Sequence, residues 1–493
     1  MAEAATKAAG AAATTTESAS LLDQVLAATR PQDKKEADRN RSYFKQFLEG
    51  VVTPGQVVSK DVEANVKYWI NEIDKKLSAQ INEIMHHADF QKLEGTWRGM
   101  HYLVHQSETG TSLKIRVFNA RKQEIAKDLE KAVEFDQSQM FKKVYEDEFG
   151  VLGGTPYGLL VGDYEYGRNA EDVSMLSKLS NLAAASHAPF VGNVNPRMFG
   201  FERMTELGNP RDLAKIFDSI EYAQWKSFRE SEDSRYVALA MPKVLGRLPY
   251  GKEFKPVDAF NFEEMVDGKD HDKYLWMGAA WAYAARITDA FAKDGWFARI
   301  RGVEGGGKVE GLPVHTFPTD DGDVAMKCPT EIAITDRREF ELSNLGFLPL
   351  IHAKGRDFAV FMGAQSAQKP KQYFDPAANA NAELSAKNTL IMTTSRFAHY
   401  LKVMARDKIG SFMEVTDCET WLNNWIQNYV LGNPIGQPDD VKAKRPLADA
   451  SVKVQAVKGK PGSYEAVAYL RPHFQLETLT CSMRLVAEVP KKQ

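Results

Sequence analysis

Apolar residues return at three- and four-residue steps through the first hundred positions and at two-residue steps near the end. Val62, Val66, Trp69, Ile73, Leu77, Ile81 and Ile84 draw one stripe along a helix running from about Lys60 to His86. A stripe that long must be buried against something. Phe90, Leu93, Trp97, Met100 and Val104 repeat the pattern and read as the core-facing side of a second helix. Gly110 closes a polar turn, and Leu113, Ile115 and Val117 then alternate with Lys114 and Arg116, the period of a half-buried strand. Upstream, Ser20 with Asp23 can open a short helix carrying Leu21, Leu22, Val25 and Leu26, which Pro31 ends. A helix of so few turns is marginal alone. It is either a cap on its own domain or a peptide for a partner's groove. Residues 42–53 form another short amphipathic segment, ended by Pro54-Gly55.

Further on, the period switches back and forth. Strands are expected at 158–164, 189–193, 236–241, 331–335 and 357–362, and helices at 171–187, 210–222, 270–293 and 379–406. Strand and helix at these spacings argue for an α/β layer with a partly parallel sheet. Thr416 to Glu419 reads as a capping box opening a helix over 416–430. A turn at 459–462 then separates two alternating runs, and the tail is β-rich to Val489. The expected fold class is therefore α/β (α+β), a layered mixed sheet with long N-terminal helices and a β-rich C-terminal tail. The expected organisation is a low-complexity tail at 1–17, a helical segment at 18–58, a core at 59–372 and a C-terminal domain at 373–493.

Composition removes several classes of function. Net charge is -3 over 493 residues, without the strongly basic face that nucleic acid requires. Cys328, Cys418 and Cys481 are far apart and form no CxxC pair, so no disulfide framework or zinc site is expected. No run approaches eighteen uncharged apolar residues, and the N-terminal segment lacks the core of a secretory signal, so a cytoplasmic protein without membrane insertion is expected. Gly302 to Lys308 matches GxxxxGK, but Val309 stands where a P-loop has Ser or Thr, and Gly311 and Pro313 block the following helix. A nucleotide-binding α/β enzyme built on Gly302–Lys308 is the competing reading, and these departures argue against it. His101 and His105 share a helix face without a Glu or third ligand beside them. Cys418, flanked by Asp417 and Glu419, is expected to have a raised thiol pKa. No catalytic, cofactor-binding or metal-binding residues are expected.

Three stretches carry a resemblance. FQKLEGTWRGMHYLVHQSETGTSLKIRVFNARKQEI at 90–125, GVEGGGKVEGLP at 302–313 and YLRPHFQLETLTCSMRLVAEVP at 469–490 resemble the large-subunit family of the bacterial type VI secretion sheath (TssC, VipB or EvpB). The resemblance extends over nearly the whole chain from about Ser18. It implies a contractile-tail-sheath-like fold. It also implies a structural subunit that pairs with the small subunit TssB, polymerises with itself around an Hcp tube on a baseplate, contracts, and is dismantled by the ATPase ClpV. It assigns Leu21, Leu22, Val25 and Leu26 to ClpV binding and Val62, Val66, Trp69, Ile73 and Leu77 to the TssB-pairing face. It assigns Tyr464, Val467, Tyr469, Phe474, Leu476, Leu479 and Leu485 to strand exchange between subunits. More loosely, it places Glu414, Asp417 and Glu419 toward the tube.

Overall fold

The computed structural model describes residues 33–51, 62–209, 211–411, 414–459, 463–473 and 475. Leu21, Leu22, Val25, Leu26, Phe474, Leu476, Leu479 and Leu485 lie outside the described residues, as does the side chain of Val62. The chain divides into two units, 1–76 and 77–493. The first contains helix α1 (Lys34–Val51). Helix α2 (Val62–Met85) begins in the first unit and ends in the second. Helix α3 (Ala88–His105) follows. The next helices used below are α4 (Lys122–Lys131), α5 (Ala170–Ser186), α6 (Ala223–Glu230), α7 (Ala279–Asp294), α8 (Asp336–Asn344), α9 (Pro376–Ser385), α10 (Asn388–Asp407) and α11 (Val415–Gln427).

The centre of the second unit is a six-stranded sheet. Its strands are β1 (Leu160–Tyr166), β2 (Phe190–Val194), β3 (Val237–Met241), β4 (Lys308–Val309), β5 (Leu348–His352) and β6 (Ala359–Phe361), in the spatial order β1-β2-β3-β5-β6-β4. The first four in space run parallel, and β6 is antiparallel to both of its neighbours. Parallel strands need both faces covered, and they have it. Val237, Leu239 and Met241 point into a core with Val173, Leu176 and Leu179 of α5. Ala238 and Ala240, one residue out of phase, point into the opposite core with Ala280, Tyr283 and Ile287 of α7. All five residues of β2 and of β3 are buried.

A separate core joins Trp296 and Phe397 to Leu422 and Ile426 of α11 and to one face of a C-terminal hairpin, β7 (Leu447–Ala456) and β8 (Tyr464–Pro472).

Several expected elements come out differently. The 113–117 segment belongs to no strand. The 331–335 segment is not a strand either, and its last residue, Thr335, caps α8 by accepting from the Arg338 N–H. The 379–406 helix is broken at Ala386–Lys387. There the chain turns so that the Ala386 carbonyl accepts from the Ser366 hydroxyl at 2.6 Å and the Asn388 N–H reaches the Ala364 carbonyl at 2.8 Å. The 270–293 helix starts only at Ala279, where the Asn193 side chain accepts from the Ala280 N–H at 2.9 Å. Of the described residues in 210–222, only Leu213–Phe217 is α-helical, capped by Asp212. The capping box at Thr416 does not form. The helix begins one residue earlier after Glu414, and the Glu419 carboxylate is taken by the Val454 N–H.

Candidate interaction surfaces

The stripe on α3 faces outward, not into a core. Leu93 is 57% exposed and Trp97 60%, with Phe90 and Val104 also exposed. The side that packs inward is Gly95, Gly99 and Leu103, at four-residue steps. The reason is steric. A Cβ on Gly95 would stand 2.7 Å from the Trp276 carbonyl oxygen, and one on Gly99 would stand 2.2 Å from Trp281 Cδ1. Only glycine lets the helix lie that close on Trp276 and on Trp281 of α7. The bulky side chains occupy the other side of the cylinder, where Trp97, Met100, His101 and Val104 border a shallow apolar depression.

Helix α2 repeats this inversion. Ser78 and Asn82 are buried, while Val66, Ile70, Ile73, Leu77 and Ile84 are exposed and Trp69 is half-buried. Asn82 earns its burial by bonding the backbone of the 263–265 segment. Its amide donates to the Glu263 carbonyl at 2.9 Å, and its oxygen accepts from the Met265 N–H at 2.9 Å. An ion cluster anchors α3 beside it. Arg247 is pinned between Glu94 (2.7 Å) and Glu264 (2.6 Å), all three side chains largely buried. Burial pushes the Glu94 carboxyl up, but Arg247 and Arg98 outweigh it and hold the carboxyl below the usual carboxylate range.

Between α3 and the sheet lies a groove of ≈ 1750 Å³. Strand β1 is an outermost strand of the sheet. The 113–117 segment also lines the groove and is tied there by bonds within it and just after it. Tyr164 donates to the Ala120 carbonyl at 2.5 Å, Lys122 to the Glu165 carbonyl at 2.6 Å, and Arg116 is paired with Glu148. The predicted strand forms no ladder with β1, and residues of both line the groove. Asp163 of β1 also lines the groove and accepts from the Thr96 hydroxyl at 2.6 Å. Burial raises its carboxyl above the ordinary range.

The glycine loop makes no phosphate cradle. The Gly302 N–H bonds the Phe361 carbonyl at 2.7 Å and the Gly307 N–H bonds the Gly302 carbonyl at 2.9 Å, so these amides are spent inside the fold. Lys308 lies in β4, paired with Glu310 and set over the Phe358 ring. Gly306 has φ +87°, and a Cβ on Gly307 would stand 2.5 Å from the Phe361 carbonyl oxygen, which accounts for glycine there. His101 and His105 stack on each other at 3.7 Å, and no metal-holding group of three occurs among the described residues. The Cys418 thiol is raised, by burial rather than by the neighbouring acids. No described helix is long and apolar enough to cross a membrane.

Tyr464, Val467 and Tyr469 of β8 are exposed. Glu414 and Asp417 are exposed at the start of α11, while Glu419 is half-buried against the hairpin. Two features escaped the sequence reading. One is the small Gly95–Gly99 face, visible as GxxxG but outweighed by the aromatics beside it. The other is the polar row Glu419, Asn423 and Gln427 at four-residue steps, which looks like an ordinary solvated face.

Comparison with known proteins agrees with a chain built of surfaces. Residues 67–368 match the family described as EvpB/VC_A0108, tail sheath N-terminal domain, and residues 377–489 match the EvpB/VC_A0108 tail sheath gpW/gp25-like domain. The type VI secretion system sheath protein TssC1 of Pseudomonas aeruginosa PAO1 is 51% identical over 478 residues, spanning 97% of this chain and 95% of that protein. Two solved structures show a distant likeness. A chain of the anti-feeding prophage baseplate has a TM-score of 0.33 at 10% identity, over 64% of this chain and 66% of that one. A chain of the contracted anti-feeding prophage sheath has a TM-score of 0.28 at 12% identity, over 63% and 66%. With both family domains matched in order and half of all positions shared with a sheath protein, the chain belongs to the large-subunit family of type VI secretion contractile sheaths.

Proposed function

We propose that this sheath subunit works as one half of a heterodimer, with the small subunit TssB covering the outward faces of α2 and α3 and entering the groove beside β1. The observation that carries the reading is the inversion of these helices. A chain that folds with Leu93, Trp97, Ile73 and Leu77 exposed and with Ser78 and Asn82 buried leaves apolar helix faces for another protein. The exposed Trp97 fits the kind of side chain that anchors interfaces. The groove beside β1 offers a strand edge with no neighbouring strand among the described residues and a segment facing it, a slot for strand addition.

In this reading the heterodimers polymerise in the cytoplasm around an Hcp tube on a baseplate. Their extended packing is metastable, and contraction releases it in series along the polymer. Neighbouring subunits are joined by strand exchange through the C-terminal hairpin and the tail beyond it. The segment with Leu21, Leu22, Val25 and Leu26 is then the handle by which ClpV dismantles spent sheath. Glu414 and Asp417 stay proposed for the tube-facing wall; the bond from Val454 to Glu419 gives that residue a second task. The role is structural, without a catalytic step. The test is co-expression with the small subunit followed by electron microscopy. Hollow tubes of constant width are the expected product. Discrete particles from two folded, bound chains overturn the polymer reading.

A further inference from the structure

The two edges of the C-terminal hairpin are not alike. Ser451, Lys453 and Gln455 of β7 stand opposite Tyr469, Val467 and Glu465 of β8. The residues between them turn their main-chain groups outward, since backbone bonding alternates along an antiparallel pair. On β7 those outward groups are already met. Asn423 of α11 donates to the Val452 carbonyl at 2.7 Å and accepts from the Val452 N–H at 2.9 Å. Gln427 donates to the Ala450 carbonyl at 2.9 Å, and Glu419 accepts from the Val454 N–H at 2.9 Å. Just past the helix, Leu431 N–H and the Tyr429 carbonyl bond both backbone groups of Leu447.

The fit follows from two repeats. Four residues of helix rise about 6 Å and two residues of strand about 6.7 Å. Side chains at 419, 423 and 427 therefore step in time with backbone groups at 454, 452 and 450. The helix takes the place that a next strand would hold. On β8 the same alternation turns the backbone groups of Ala466, Ala468 and Leu470 outward, and among the described residues none of them has a partner across that edge.

We infer that Glu419, Asn423 and Gln427 are specificity-determining residues of polymerisation: they close the β7 edge of the hairpin, so that a strand from a second copy of this chain is accepted only along β8, at Ala466, Ala468 and Leu470. The inference rests on the strand-exchange reading above and adds to it the edge and the residues that choose it. An edge left open on both sides is a template for unwanted pairing; one closed edge gives one growth register. The second copy is the occupant because this chain carries a candidate strand past its own hairpin. Beyond β8, Gln475 is bonded to Arg301 (2.8 Å) and to the Ala298 carbonyl (2.6 Å), and in the sequence that follows Leu479, Cys481, Met483, Leu485 and Ala487 alternate with Thr480, Ser482, Arg484 and, after Val486, Glu488.

The test follows amide hydrogen exchange of the full chain, soluble and then assembled with the small subunit. Val452 and Val454 amides should be protected in both forms. Ala466, Ala468 and Leu470 should gain roughly a hundredfold protection on assembly. A gain confined to the β7 edge, or fast exchange at Val452 and Val454 in the soluble chain, overturns the inference. Ala468→Pro removes an outward N–H, a place where an edge strand tolerates proline. It should leave the complex soluble and abolish tubes. Truncation after Gln475 separates the two ideas. If truncated chains form tubes, strand exchange itself is wrong. If truncation blocks tubes but Ala468→Pro does not, only the choice of edge is wrong. Asn423→Ala should keep tubes and add laterally associated aggregates; tubes with no such aggregates would count against the ladder's role.

Discussion

Single residues set how close the layers come. Gly99 has no room for a methyl group against Trp281, so Gly99→Ala should destabilise by about 1–3 kcal/mol through overpacking, despite a helix-propensity gain of about 1 kcal/mol. Gly110 has nothing within 4 Å of its ideal Cβ, so Gly110→Ala should stay within about 0.5 kcal/mol. Urea unfolding of the two variants checks the contrast. His399 sets a pH limit. Its imidazole is buried and donates to the Ser186 carbonyl at 2.9 Å. Burial drives its pKa from 6.5 to about 4; the Ser186 bond opposes the shift and the charges of Arg396 and Lys402 add to it. The unfolded chain takes the proton at a higher pH than the folded one. Stability from this site is thus full above about pH 6.5 and is lost as pH falls toward 4, by about 3 kcal/mol. In His399→Gln the unfolding free energy should fall less steeply across that window; an unchanged slope would place the titration elsewhere.

At the scale of elements, the existence of the long N-terminal helices was readable and the direction of their faces was not. The stripes on α2 and α3 predicted two helices, and both formed. Periodicity identifies a face that wants burial, but it does not say whether the chain itself supplies the cover. Here Gly95 and Gly99 on one helix and Asn82 on the other decide it by close approach and by backbone mimicry. The 113–117 strand failed for the same reason, since alternation cannot reveal a missing neighbour. The break at Ala386 was illegible because it is imposed by hydrogen bonds from residues 364–366, distant in sequence. The orientation of α3 leads to a prediction. Leu93→Asp and Trp97→Asp should leave thermal unfolding near that of the parent chain, because both residues are exposed. Each should weaken co-purification with the small subunit by roughly 30-fold, about 2 kcal/mol. A large drop in melting temperature would instead return these residues to the core.

For the whole molecule, the α/β layering and the sheath family were both accessible from sequence. The layering came from alternating periods, and the family from three stretches spread along the chain. What patterns could not supply was which edges and faces the fold leaves uncovered. The outward set of α3 also bears on dosage. In the proposed pairing, a copy made without the small subunit carries Leu93, Trp97 and Val104 in water, the signature by which chaperones and proteases sort orphans from finished products. Cells that make this chain in excess should therefore not hold the surplus. Its steady-state amount should track that of the small subunit. Pulse-chase labelling with the mate's synthesis switched off would show a shortened half-life, and an unchanged half-life would mean that something else in the cell shields the same helix.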